Sequence, residues 1–339
     1  MLSRLDRLAY HSQHLSFAIN ATVMQEAARI ATRTPRPKIT AELIKTINRR
    51  RMELHRVDLA NVESGMYPRE LLFDIPTRRY LHESILLLKD AGNVVRRKQQ
   101  NAYKDIPAVD KDRYPPYYRR TFHWQSDGYF SDFSAKVYEV GVELLFRGTA
   151  DVMRRQVIPP MTRFLAAQPA GEAPRILDIG CGTGRSLHQI ARAHPRARLY
   201  GADMSPAYIK RARKRLLELD DVTLAAENGE ALPWADATFD IVTSTYMFHE
   251  LPRNARRNVM REMFRVVRPG GLVVIEDSAQ VSESPELADV LRNFPVEFHE
   301  PFYADYLEDD LAGILAEVGF TDVRTESHLV AKVVAATRP

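Results

Sequence analysis

The sequence has a single cysteine, Cys181, so neither an internal disulfide nor a cysteine-built zinc cluster can hold it together, and one thiol agrees with a reducing compartment. No apolar run approaches the ~18 residues that a membrane-spanning helix needs. The opening stretch MLSRLDRLAYHSQH interrupts its apolar residues with charges and lacks the core of a secretory signal, so a cytoplasmic protein is expected. Internal repeats and low-complexity tracts are missing too. No histidine and carboxylate set stands at ligand spacing, because the His249-Glu250 pair lacks the second histidine of H-E-x-x-H, and no metal is expected. What is present is the composition of a soluble globular chain: 339 residues, 45% hydrophobic and 27% charged, enough for one large domain with an extension or for two domains.

Charge is unevenly placed. Residues 1–150 hold 25 Lys and Arg against 17 Asp and Glu, a net of +8, whereas residues 151–339 hold 23 against 27, a net of −4. A basic half can serve nucleic acid, an anionic substrate or a solvated helical surface. The arginines of TINRRRMELHR and VVRRKQQ lie on polar helix faces with no aromatic residue alternating among them, so the solvated surface is preferred and nucleic acid is not the expected partner.

Along the chain, apolar residues recur at spacings of three and four from residue 5 to residue 98, broken by TPRPK at 34–38 and MYPRELLFDIP at 66–76, which predicts a set of helices. A stretch dense in rings follows, RYPPYYRRTFHWQSDGYFSD, in which Tyr114, Tyr117, Tyr118, Phe122, Trp124, Tyr129 and Phe130 follow no strand or helix period. From residue 174 short β-rich runs (RILDI, RLYGAD, VTLAA, FDIVTST, GLVVIED) alternate with helical ones, the pattern of a doubly wound α/β sheet. Three segments are therefore expected: a helical extension over 1–112, an aromatic lid or linker over 113–150, and an α/β domain over 151–339.

The chemistry gathers at the first of those strands. RILDIGCGTGRSLHQIARAH is an apolar strand, a glycine-rich turn and a helix, an arrangement that aims backbone amides at whatever lies over the turn. Its glycines, Gly180, Gly182 and Gly184, are spaced G-x-G-x-G, and Arg185 stands where a dinucleotide fingerprint requires glycine, which argues against NAD. Asp178 precedes the turn, and Asp203 closes the next strand in LYGADMS, where an acid can hold ribose hydroxyls.

These motifs, with ENGEALPWADATFDIVTS and REMFRVVRPGGLVVIEDS after them, resemble the class I S-adenosylmethionine (SAM) dependent methyltransferases, above all the branch with the ubiquinone and menaquinone C-methyltransferases and many small-molecule enzymes. The resemblance covers residues 175–339, about half the chain. It implies a Rossmann-like, doubly wound seven-stranded sheet whose last strand runs antiparallel, with FTDVRTES and LVAKVVAATR as the final hairpin. It also implies SAM as cofactor and S-adenosylhomocysteine as product. Carried over by position, Gly180, Gly182 and Gly184 line the methionyl part, Asp203 holds the ribose, Met204 lies on the adenine, Asn228 and Gly229 flank it, and Thr245 lies near the sulfonium. Asn228 replaces the aspartate common in the family, and its carbonyl can still accept from the adenine amine.

Two regions are candidates for the acceptor side. FHELP follows the fourth strand, and His249 within it could remove a proton as the methyl arrives, or only hold the loop. Methyl transfer needs aligned reactants and exclusion of water, so the ring-rich segment before the first strand is a candidate lid, with Tyr117, Tyr118, His123, Trp124, Tyr129 and Tyr138 as lid or acceptor wall; His123, Tyr129 and His249 are the candidate catalytic groups. The competing reading of the same rings is a hydrophobic junction. FPVEFHEPFYADY, with His299 and Glu300, could form a second wall. The expected acceptor is an organic small molecule, aromatic or lipid-like, and the helical N-terminus could support a homo-oligomer. An RNA-directed methyltransferase using the basic half, and a SAM-binding regulatory protein without turnover, are the alternatives.

Overall fold

Most of the described residues up to residue 100 lie in helices, as their spacing predicts. In a computed structural model of the chain, which describes residues 2–33, 40–169 and 171–339 apart from the side chains of Val296 and Glu297, α1 runs Arg4–Thr32, α2 Ala41–Glu63, α3 Thr77–Gln100 and α4 Asp132–Leu145. Ser3 starts α1 through a capping box with Asp6, Thr40 caps α2 and Ser131 caps α4. The break expected at 34–38 lies outside the described residues. The one at 66–76 is a short 3-10 turn, Arg69–Phe73, that follows Pro68 and ends before Pro76.

The chain folds as two compact units, Met1–Met153 and Arg154–Pro339. In the first unit α1 packs on α3 and α4. Its centre is Asp58, fully buried, which accepts hydrogen bonds from the hydroxyls of Tyr10 at 2.6 Å and Tyr67 at 2.5 Å and so joins α1, α2 and the turn after it. The ring-rich segment is tied to α3: Arg97 donates to the Trp124 carbonyl at 3.0 Å and to Ser126, whose hydroxyl donates to Asp90.

The short α5, Ala150–Arg154, runs across the division, and α6, Ile158–Ala166, precedes the sheet. Strands β1 Arg175–Ile179, β2 Arg198–Ala202, β3 Val222–Ala225, β4 Phe239–Thr245, β5 Val267–Ser278, β6 Thr321–His328 and β7 Ala331–Thr337 alternate with α7 Arg185–Ala193, α8 Pro206–Arg215, α9 Arg253–Val266, α10 Ala288–Phe298, α11 Tyr303–Leu307 and α12 Leu311–Val318. The seven strands lie in the order β3-β2-β1-β4-β5-β7-β6. The first five pair in parallel, and β7 is antiparallel to both β5 and β6. Chain order reverses between β1 and β4, the place where open α/β sheets bind ligands beyond the carboxyl ends of their strands. Among the described residues no helix is long and apolar enough to cross a membrane.

The central strands are buried on both faces and are therefore mostly apolar. Four of the polar residues that interrupt them share one face. Asp178 pairs with Thr243, Thr245 stands two residues further along β4, and Thr245 pairs with Glu276 on β5, so alternation sends all four side chains the same way.

Candidate functional site

The turn between β1 and α7 takes its shape from its glycines, with φ of 69° at Gly180, 53° at Gly182 and 77° at Gly184. A Cβ at Gly180 would meet the Met247 sulfur at 2.7 Å, so a side chain there would displace Met247 as well as strain the left-handed backbone. Gly182 differs. A Cβ added to it would find no protein atom nearer than 3.9 Å, so besides its left-handed backbone it leaves open space over the turn. Beneath this space Asp203, at the end of β2, accepts from the Gly182 amide at 2.9 Å and the Ser205 amide at 2.8 Å. Desolvation raises its carboxyl to about 6 against the pull of those two amides. The acid thus bridges the glycine turn and the start of α8, and its remaining lone pairs can accept from ribose hydroxyls.

Asp178 is 1% exposed, and neither carboxylate oxygen has a hydrogen-bond partner. Burial pushes it up to about 8, with Arg154 pulling it down and Asp203 adding repulsion. The Thr243 and Thr245 hydroxyls beside it are likewise buried without partners. Glu276, fully buried, is held well above the carboxylate range by desolvation and by its neighbour Asp277, while Arg154 and the Tyr246 hydroxyl pull the other way. Buried polar atoms left unsatisfied are rare in proteins and point to a missing ligand or water. The open glycine turn and this under-paired row fit a polar, zwitterionic tail such as the methionyl end of SAM.

The flanking candidates lie around the same strand ends. Met204 is half-buried after β2. Asn228 accepts from the Glu230 amide at 3.0 Å, so its carbonyl already closes a turn and offers one lone pair, not two. Gly229 lies where a Cβ would strike Ile179 at 2.8 Å, which keeps this turn against β1.

His249 sits in a 3-10 turn, Phe248–Glu250, after β4 and is 7% exposed. Its Nδ1 is 2.6 Å from Asp277 Oδ1, and the other oxygen of Asp277 accepts from the Phe248 amide at 2.6 Å. Desolvation disfavours the imidazolium, but the Asp277 carboxylate outweighs it and holds the His249 pKa above the ordinary value. Nε2 takes no protein partner among the described residues. Tyr303 and Tyr306 pack edge-on to the imidazole at 5.8 and 6.2 Å between ring centroids. Both tyrosines belong to α11, and the second ring-rich stretch therefore forms helices α10 and α11. It is moored to α9 by Arg256, fully buried, which donates to Asp309 at 2.8 Å and also pairs with Asp305. Nearby, Glu300 is held well above the carboxylate range by burial, with Glu250 and Asp277 adding repulsion.

The remaining candidates belong to the first unit. His123 is half-buried at φ 51°. Tyr129 is 7% exposed, stacked on Phe122 at 5.4 Å and edge-on to Tyr138 at 6.2 Å. Tyr114, Phe122, Trp124 and Tyr129 are all buried, so much of the ring density goes into the core of this unit. Sequence reasoning missed Asp277, Glu276 and Arg154. The two acids were visible as an E-D pair ending VVIED, an unusual finish for an otherwise apolar strand.

A family profile described as a methyltransferase domain matches residues 176–271. The O-methyltransferase resE of Aspergillus sclerotiorum is 32% identical over 51% of this chain and 66% of its own length. The O-methyltransferase rstn1 of Aspergillus nomiae is 34% identical over 46% of this chain and 71% of its own. The chain belongs to the class I SAM-dependent methyltransferases. A demethylmenaquinone methyltransferase of Halalkalibacterium halodurans, 30% identical over 46% of this chain and 71% of its own, matches to the same extent. As a member of this family the chain is an enzyme with SAM as cofactor.

Proposed function

We propose that this methyltransferase acts on an organic small molecule bearing an ionisable group, with His249 taking the proton that the acceptor releases. The observation that carries the reading is the His249–Asp277 contact of 2.6 Å, which occupies Nδ1 and leaves Nε2 for a substrate. SAM, when bound, supplies an electrophilic methyl group on a sulfonium sulfur. The chain's own residues bind, orient and move a proton. Gly180, Gly182, Gly184 and Asp178 are assigned to the methionyl end, Asp203 to the ribose, Met204, Asn228 and Gly229 to the adenine, and Thr245 to the neighbourhood of the sulfonium. Asp277 acts through His249: it holds the tautomer with Nε2 unprotonated and steadies the imidazolium once the proton arrives. Names of relatives such as O-methyltransferase and demethylmenaquinone methyltransferase support a hydroxylated or quinol-like acceptor.

The segment 113–150 is proposed to cover the acceptor, with His123 as its catalytic candidate, while Tyr129 is buried against Phe122 and stays with the core of its unit. Tyr117, Tyr118, His123 and Tyr138 keep partial exposure and are the groups that can serve that role. If so, amide exchange over 113–138 slows when SAM and an acceptor are added together.

The test of the chemistry is S-adenosylhomocysteine release with SAM and a panel of phenols, catechols, hydroquinones and amines. With an acceptor found, His249→Gln should lower kcat by about 10²- to 10⁴-fold with SAM affinity unchanged. The parent rate should rise with pH through a value above the ordinary histidine pKa, because only the neutral imidazole accepts a proton; Asp277→Asn should move that limb to lower pH. An unchanged kcat in His249→Gln would assign His249 to holding the loop.

A further inference from the structure

Helix α1 carries too little charge on its outer face. Between Leu8 and Ile30 it exposes twelve residues, none of them Lys, Arg, Asp or Glu, in a chain that is 27% charged. What it exposes includes Leu8 at 64%, Leu15 at 63%, Ile19 at 56%, Val23 at 60% and Ile30 at 67%. A solvated amphipathic helix turns charge outward, and a contiguous exposed apolar strip marks an interface.

The spacing of the strip identifies the occupant. Counted from Ile19, the other four stand at −11, −4, +4 and +11, a palindrome. At 3.6 residues per turn these offsets fall about 20° and 40° to either side of Ile19, so the five side chains form one straight strip. We propose that α1 pairs with the α1 of a second copy, antiparallel, about a two-fold axis at Ile19. Leu8 then meets Ile30, Leu15 meets Val23, and Ile19 meets itself. A two-fold interface uses the same patch on both subunits and so requires this self-complementarity, which a strip for an unrelated partner would not.

The one acid near the centre line supports the register. Glu26 is paired with Arg29 at 2.7 Å in its own helix and falls opposite Ser12, whose hydroxyl can donate to it. The antiparallel arrangement also sets the two helix dipoles head to tail. Six large aliphatic side chains, with Leu5 at 76% exposure included, offer roughly 700–800 Å² per copy, close to the ~800 Å² per partner of a standard stable interface. A membrane surface would call for basic residues bordering the strip. From Leu8 to Ile30 the only one is Arg29, already engaged by Glu26; Arg7 beside Leu8 pairs with Glu63, and Arg4 and Arg33 stand only at the two ends of the helix.

The test is sedimentation velocity of the full chain at micromolar concentration, expected to give a dimer. Ile19→Arg should weaken it by at least about 100-fold, because the substitution acts twice across the axis, with the thermal melt of the dissociated chain confirming that it folds. Cysteine pairing fixes the register without relying on that variant: Ile19→Cys should cross-link to itself on mild oxidation, and Leu15→Cys only when mixed with Val23→Cys. The native thiol, Cys181, is 5% exposed and should stay silent. A parent that is monomeric throughout, a dimer that survives Ile19→Arg, or self-linking of Leu15→Cys would each overturn the proposal. So would a monomer that binds phosphatidylcholine–phosphatidylserine vesicles and loses that binding in Ile19→Arg, which would make the strip a membrane face.

Discussion

The two units bury polar groups in opposite ways. In the helical unit the fully buried Asp58 has a tyrosine hydroxyl on each oxygen and serves as a clamp. In the sheet unit Asp178, Thr243 and Thr245 are buried at the strand ends with no hydrogen-bond partner. A paired buried acid stabilises a fold, whereas an unpaired one costs stability and persists where a ligand completes it. Pairing thus distinguishes the Asp58 clamp from the strand-end row without reference to any relative.

The sharpest way to break this contrast is to remove the clamp. Asp58→Ala leaves two buried hydroxyls without an acceptor and should cost about 3–5 kcal/mol, seen as loss of exchange protection across residues 4–73, while SAM binding by the sheet unit persists. Weakened SAM binding without loss of protection would contradict it. Next in size, Asp203→Ala should weaken SAM by about 1.5–3 kcal/mol in calorimetry, because an ionised acceptor of ribose hydroxyls is lost; unchanged affinity would reassign Asp203 to bracing the glycine turn alone.

His55 is one exception in the helical unit, a buried histidine whose Nε2 has no partner. Desolvation, with positive repulsion from His14, His11 and Arg51 and only Asp58 opposing, lowers its pKa to about 3. Above the ordinary value near 6.5 both folded and unfolded states are neutral there. Below it only the unfolded chain takes up the proton, so stability falls as pH drops from 6.5 toward 3. The loss between pH 7 and pH 5 should be about 2 kcal/mol, and His55→Phe should remove much of it. Asp178→Asn should have the smallest effect on folding. The native carboxyl is already pushed up to about 8, so at neutral pH the substitution removes little charge, and the melt should not fall while SAM affinity does. A large drop in melting temperature would mean that Asp178 is framework after all.

The ring-rich segment shows where sequence reading stops. Its residues follow no period because the backbone turns repeatedly: His123, Trp124, Asp127 and Gly128 all have positive φ, a conformation that neither helix nor strand supplies. The pairing of Tyr129 with Phe122 follows from those turns and could not be inferred from spacing. The Phe294–Tyr306 stretch was legible as ring-rich, but its helices are secured by Arg256 reaching Asp309, a partner 53 residues away.

The sequence by itself determined the sheet, because strand, glycine turn and helix are local patterns: apolar runs demand burial, and G-x-G-x-G permits a left-handed turn that other residues resist. It determined Asp203 for the same reason, since an acid that closes the second parallel strand has only one place to go beside the first turn. Tertiary structure alone decided that Asp277 holds His249, that the Arg154 charge acts on both Asp178 and Glu276, and that Asp58 is a clamp rather than one more charge on a helix. In each case the deciding partner is distant along the chain, and a charged side chain carries no period that announces whether water or another residue will meet it.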